Sequence, residues 1–431
     1  MDRRAYVAAC GMVSLGGCLG VVDDRDEGLR PGDISCVEDL SSGSSNGPDD
    51  GSWPTELHDM QNTGQTDVPG PSGCVKTRWT LPQNPQGGLH TGPVVSDGLV
   101  YVPDQTNADT WFVALDAQTG EEQWQYTDTS HERLVPRHSP TLSDDRLYLV
   151  DGDNLACVDT QNQVTGWFLD LSDEQEKLPG IGIPRVVEGT VYIGVGTGEV
   201  LALNANTGAR QWTHDIEGLP STQSIEGDND SQVKARRRGT PYAPVAATEQ
   251  RVYVTSWDLS LHALNAATGE REWQFSPGMD HLDMMHAPAV VDGVVYTQTE
   301  DAILYVLDAE TGELLWTYDE YGESSDGVSP VVDDESVYII AGTSTENLFL
   351  IALNRADGTV RWKRSVGPPF VEPAADADTL YIDQGRSLQA IEKATGDRLW
   401  TLHTDRAVSA PPAIVNEAVY VADDSHFYGL W

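Results

Sequence analysis

Few residues in this chain carry the patterns that chemistry needs. Asp280-His281-Leu282-Asp283-Met284-Met285-His286 gathers imidazoles and carboxylates, the ligands that many divalent metals favour. Neither its spacing nor its flanks form a metal motif, so no metal ligand is assigned. Histidines at a loop end explain it equally well. Lys234-Ala235-Arg236-Arg237-Arg238-Gly239 is the one dense basic cluster. It reads either as a contact for an anionic ligand or partner, or as a solvated loop paired with Asp228 and Asp230. His90, Arg137, His138, His286 and Glu372 each stand just ahead of a β-rich run. Of these, His90, His138, His286 and Glu372, together with Arg238, are the candidate ligand-binding residues. No Gly-rich phosphate loop, nucleophile elbow or His-Glu-x-x-His appears. With 68 Asp+Glu in the chain, any one pair of carboxylates is uninformative. No catalytic residue is assigned.

The charge balance limits partners. The 431 residues carry 26 Lys+Arg against 68 Asp+Glu, a formal net charge of −42. That argues against nucleic-acid binding, which needs a basic surface. It also implies strong self-repulsion at low ionic strength. Molar salt shortens the Debye length to about 3 Å and relieves most of it. The composition resembles that of halophilic archaeal proteins.

The first residues read as an address. Arg3-Arg4 precedes a short apolar run, Ala5 to Val13, too short to span a bilayer, which takes about 20 residues. Leu15-Gly16-Gly17-Cys18 follows and resembles a lipobox, with cleavage before a lipidated Cys18. Arg3-Arg4-Ala5-Tyr6-Val7 resembles a twin-arginine export signal. Residues 1–17 are therefore expected to be an export signal. Residues 18–52, rich in Asp, Gly and Ser, are expected to be a flexible tether. The expected location is the extracellular face of the cell membrane. There Cys36 and Cys74 can form a disulfide. Cys157 lies in a strand pattern and reads as a small buried residue.

The rest of the chain, 53–431, repeats itself, and the repeats must position any site. Ala114-Leu115-Asp116-Ala117-Gln118-Thr119-Gly120-Glu121-Glu122-Gln123-Trp124 recurs ending at Trp212, Trp273, Trp316, Trp362 and Trp400, with a degenerate copy ending at Trp167. A second unit, Pro93 to Val102, precedes each copy; it pairs an Asp-Gly-like turn with an aliphatic-Tyr pair. Each unit makes two hairpins, hence a four-stranded sheet with two apolar faces. Stacking sheets radially buries both. A Trp placed opposite a small Ala keys one sheet into the next.

Ala-x-Asp-x-x-Thr-Gly-x-x-x-Trp is similar to the tryptophan-docking motif of the PQQ-type propeller repeat, the family of the quinoprotein alcohol dehydrogenases and of BamB-like lipoproteins. The resemblance implies an all-β, eight-bladed propeller of four-stranded antiparallel blades. Eight hairpins and eight docking positions (Trp79, Trp124, Trp167, Trp212, Trp273, Trp316, Trp362, Trp400) fit that count. Trp79 precedes the first hairpin, while the chain ends at a third strand, His426 to Trp431. The N-terminal segment from Cys74 to Trp79 is thus expected to complete the last blade and close the ring.

Loops between blades and the central turn within each blade fall on one face, where candidate binding residues ring the channel mouth. The family's dehydrogenases bind pyrroloquinoline quinone (PQQ) there, with calcium, a disulfide between adjacent cysteines and a Trp under the quinone. This sequence has no adjacent cysteines, so neither PQQ nor calcium is expected, and the chain reads more readily as a non-enzyme. The leading reading is a monomeric, membrane-anchored scaffold for protein partners, as the likeness to BamB-like lipoproteins implies. A PQQ-dependent dehydrogenase and a small-ligand or sugar-binding surface protein are the alternatives.

Overall fold

The fold is taken from a computed structural model that describes residues 30–36, 52–71, 73–82, 91–103, 110–127, 138–151, 154–171, 182–218, 239–241, 243–277, 286–321, 328–344, 347–369 and 371–431. Every regular element among them is a strand. Seven blades follow one another along the chain, over residues 94–127, 141–170, 185–215, 246–275, 289–318, 331–366 and 374–403. The eighth holds 408–430 plus Thr77–Pro82. Each blade is an antiparallel meander, so its first strand lines the axis and its fourth forms the rim.

Local chemistry sets the turns. The first hairpin of the first blade turns at Asp97 and Gly98, with φ of 52° and 71°. Two left-handed residues in succession suit the twist of the flanking strands. In the Asp-x-x-Thr-Gly turn, Asp116 Oδ1 accepts from the Gln118 and Thr119 amides at 3.0 and 2.8 Å. Asn204, Asn265 and Asp308 do the same in their blades. The acid or amide of the motif is thus a turn cap. At Asp308 these hydrogen bonds, led by the Thr311 amide, hold the carboxyl below its usual range.

The structure also shows how the Trp keys the blades together. The motif's first Ala lies across from the Trp in the same blade, as Ala202 does from Trp212. The keying is done by two other residues of the next blade. Indole Nε1 of Trp212 donates to the Ala266 carbonyl at 2.9 Å, and Trp79, Trp167 and Trp273 donate to Ala117, Ala205 and Ala309. The indole face then lies on the turn glycine. A Cβ added to Gly269 would sit 2.6 Å from Trp212, and one on Gly208 or Gly312 would crowd Trp167 or Trp273 in the same way. The Tyr of the aliphatic-Tyr pair joins in. Tyr192, Tyr253 and Tyr420 donate to the same carbonyls as their neighbouring Trp, at 3.1 Å each.

Thr77–Pro82 pairs with His426–Leu430, Thr80 opposite Tyr428, so the N-terminal segment supplies the missing fourth strand. Trp79 packs between Gly120 of the first blade and Gly429 of its own, joining the ring. Cys157 is free and buried, between the second and third blades.

The expected tether over 18–52 needs correcting at one point. Ile34–Cys36 forms a short fifth strand on the rim of the seventh blade, with Ile34 opposite Leu402 and Cys36 opposite Trp400. Cys36 is joined to Cys74 by a disulfide, Cα–Cα 5.8 Å. The composition of 18–52 is that of a solvated linker, but Ile34 and Cys36 supply enough apolar surface and a covalent tie to order these few residues. Cys18 lies outside the described residues.

Candidate functional site

Eight first strands ringing an axis leave eight rows of unpaired amides facing inward. Residues 53–69 supply an acceptor to one such amide in six of them, and reach the other two blades by a side chain and a turn. The segment visits all eight blades in chain order. Val95 of the first blade donates to the Trp53 carbonyl at 3.0 Å, and Leu142 of the second to Pro54 at 2.7 Å. Ala247, Val290, Val332 and Ala375 of the fourth to seventh donate to Met60, Gln61, Thr63 and Gly64 at 2.7 to 2.9 Å. Glu417 of the eighth donates to Pro69 at 3.2 Å. The open channel implied by the repeats is therefore plugged by the chain itself. Buried amides need acceptors, and this segment is what supplies them.

The third blade is tied through a side chain. Arg185, fully buried, donates from Nε to Asn62 Oδ1 at 2.8 Å, from Nη1 to Thr55 Oγ1 at 2.8 Å, and from Nη2 to the Glu56 carbonyl at 3.0 Å. Burial lowers its pKa to about 10, against the pull of Glu56 and Asp59. Asn62 in turn donates to Pro244, Val245 and Pro288 carbonyls. Leu57, His58 and Asn62 hold positive φ, 61°, 68° and 59°. Such backbone persists only where surrounding contacts over-determine it.

At the loop-bearing end above the plug, two carboxylates sit in half-buried recesses. Glu56 accepts from Ser139 Oγ at 2.6 Å, and Ser139 Oγ accepts from the Gly92 amide at 2.7 Å. Glu372 accepts from the Ser329 amide at 2.6 Å and from Ser329 Oγ at 3.0 Å. Burial, then the negative charge of Glu56, pushes Glu372 up to about 7. Burial raises Glu56 as well. Glu372 thus exchanges a proton near neutrality. His286, whose amide donates to Gln298, is lowered by burial to about 4 and is neutral there.

The structure brings His138, His286 and Glu372 to this one end, at the starts of the second, fifth and seventh blades. Glu372 is committed to Ser329, so it serves first as a brace between blades. His90, Arg137, His281, Asp283 and the cluster from Lys234 to Arg238 lie outside the described residues. Sequence reasoning missed Glu56, Ser139, Ser329 and Arg185. One signal was present: Pro184-Arg185 stands where other blades have Pro-Val, Pro-Thr or Pro-Ala.

A second recess, about 520 Å³, opens between the sixth and seventh blades on the tight-turn side. Lys393 replaces the docking Ala there, as Arg355 does one blade earlier. Its carbonyl still receives Trp362 Nε1 at 2.8 Å, while its ammonium pairs with Asp333 at 2.7 Å. Arg355 meets Tyr296 and Asp292. These cations reinforce blade interfaces.

PQQ is a tricarboxylate. Among the described residues, the mouth of the plugged channel meets it with the carboxylates of Glu56 and Glu372, whose donors are already engaged, and Arg185 is spent on the plug. These residues do not fit such a group.

Fold and site together define an eight-bladed propeller with a self-plugged channel and its variable loops on one face. The chain matches, over residues 76–243, 231–372 and 351–430, the family described as outer membrane protein assembly factor BamB, and it belongs to that family. It is 32% identical to BamB of Xanthomonas campestris over 257 residues, 56% of this chain and 59% of that protein. It is 29% identical to BamB of Yersinia pestis over 74% of this chain and 68% of that protein. The Xanthomonas match thus spans less than two thirds of its relative. Quinohemoprotein alcohol dehydrogenase from Comamonas testosteroni superposes with a TM-score of 0.66 at 17% identity, covering 88% of this chain and 80% of that one. At that identity the likeness is one of fold.

Proposed function

We propose that this protein is a lipid-anchored, extracytoplasmic scaffold that binds protein partners through its loop-bearing face, without PQQ, calcium or catalysis. The observation that carries the reading is the plug. A channel filled by residues 53–69 offers a small ligand little depth, and the polar groups described above it are already paired with one another. What remains is the end of the ring that carries the connections between blades, whose uneven lengths in the sequence suit a macromolecular partner. Membership of the BamB family supports the same direction, since relatives carry the name of an assembly factor. The twin arginine and Cys18 support export and anchoring, and the charge of −42 argues against nucleic acid.

The test is cross-linking of the full-length protein in its own membranes at native salt, read by mass spectrometry. Cross-links to a recurring protein partner, confined to peptides of the loop-bearing face, are the expected result. Separately, the purified protein is mixed with PQQ and calcium. Stoichiometric quinone binding with dye-linked alcohol oxidation would replace this reading with the dehydrogenase one.

A further inference from the structure

We propose that the propeller meets the membrane edge-on, with the loop-bearing corner of the seventh and eighth blades against the lipid headgroups. This rests on the lipid-anchor reading of Cys18. The chain is fastened to the rim of the seventh blade. The Gly32 amide donates to the His403 carbonyl at 2.8 Å, and the His403 amide to Asp33 at 2.9 Å. Ile34–Cys36 then runs antiparallel to Arg398–His403, and Cys36 is locked to Cys74. His403 ends a fourth strand, at the loop-bearing side, so the leash leaves the rim there, at Arg30.

The leash is short. Twelve residue steps separate Cys18 from Arg30. Fully extended they span about 40 Å, and as a flexible coil about 20 Å. A leash reaching to Ser52 would have 34 steps, about 115 Å extended, and would let the ring turn freely. The strand and disulfide cut the reach roughly threefold and fix where on the ring it acts.

Charge favours the same corner. Arg30, Arg386 and Arg406 are exposed at this corner of an otherwise acidic protein. Arg386 lies in the central turn of the seventh blade and Arg406 in the connection to the eighth. Thr404 links the two: its amide donates to the Arg386 carbonyl at 3.0 Å and its Oγ1 to the Arg406 carbonyl at 2.7 Å. The nearby Asp423 carboxylate is occupied by the Asp405 and Arg406 amides and the Tyr428 hydroxyl. Arg386 also meets the Asp405 carboxylate at 3.9 Å and the Asp405 carbonyl, an exposed pairing that is weak and that a headgroup phosphate can replace; anionic headgroups are the chemistry these three guanidinium groups fit. In molar salt the Debye length is about 3 Å, so the arginines act at contact and the short leash sets the orientation.

The test uses the full-length protein reconstituted through its own lipid into phosphatidylglycerol-containing vesicles that carry a photoactivatable headgroup. Cross-links are expected on peptides containing Arg30, Arg386 and Arg406, several-fold over peptides of the opposite blades containing Arg251 and Arg271. In the paired variant Cys36→Ser, Cys74→Ser the difference is expected to shrink, because the leash lengthens. Mass spectrometry of the N-terminal peptide reads the lipid separately. A lipidated Cys18 with even cross-linking around the intact ring overturns the orientation alone. A Cys18 without lipid overturns the anchor and the orientation with it.

Discussion

Replacing Arg185 with Met tests whether the plug is held as described. The side chain has a similar length but no donors. It would leave Asn62 Oδ1, Thr55 Oγ1 and the Glu56 carbonyl without the donors they now have at 2.8, 2.8 and 3.0 Å. A buried group stripped of its partner costs about 1–3 kcal/mol, so three give a gross loss of about 3–9 kcal/mol. The guanidinium also costs something to bury. Its pKa falls from 12.5 to about 10, which at about 1.4 kcal/mol per unit returns about 3 kcal/mol when the charge is removed. Thr55 keeps its contact with Thr141 at 2.9 Å, which favours the low end of the gross loss. The difference spans about 0–6 kcal/mol, and its lower half, about 0–3 kcal/mol, is the expected net loss, read by denaturant unfolding at constant salt. Hydrogen exchange gives the second readout. The amides of Val95, Leu142, Ala247, Val290, Val332 and Ala375 donate to the plug and should lose protection together. Amides within the outer strands should keep theirs. A variant within about 0.5 kcal/mol of the parent, with those six amides still protected, would refute the role given to Arg185.

Three further outcomes follow from the same geometry. Gly269→Ala should cost clearly more than Gly98→Ala. Both have positive φ, 73° and 71°, but a Cβ at 269 meets Trp212 at 2.6 Å while one at 98 meets nothing. The backbone strain shared by both is about 1 kcal/mol, and displacing a docked indole adds at least about another 1–2; equal unfolding midpoints would sink the docking account. Deleting residues 74–80 removes most of the fourth strand of the eighth blade and the Trp79 contact with Ala117, and should lower the melting temperature sharply; unchanged melting would refute closure by the N-terminal segment. Glu372 gives a pH dependence. Its folded pKa, about 7, lies above the ordinary 4.5, so the folded state binds the proton more tightly and stability falls as pH rises from about 4.5 through 7. The fall is at most about 3 kcal/mol, and Glu372→Gln should flatten that slope in unfolding measured across the window.

The repeat architecture was legible because its signals are local. Asp-Gly and Asx-x-x-Thr-Gly turns depend on hydrogen bonds two or three residues away, and the apolar alternation of each strand depends on its own neighbours. That sufficed for eight blades and for the borrowed strand at Trp79. The docking partner of each Trp was less legible. The motif holds two small residues, and only the packed interface shows that the second, such as Ala266, offers its carbonyl.

The sequence by itself determined the blades, their number, the closure and the charge. Tertiary structure alone decided what fills the axis. Residues 53–69 have no strand periodicity, because their partners are seven amides spread from Val95 to Glu417 and the Arg185 side chain, and no two neighbouring residues share an environment. The same holds for Glu56 and Glu372, far apart in the chain and coupled only because the ring returns on itself. It holds for Ile34–Cys36 as well: a three-residue strand inside a solvated linker is ordered by a rim and a disulfide that composition cannot anticipate. Periodicity reports contacts that repeat along the chain, and this site is made of contacts that occur once.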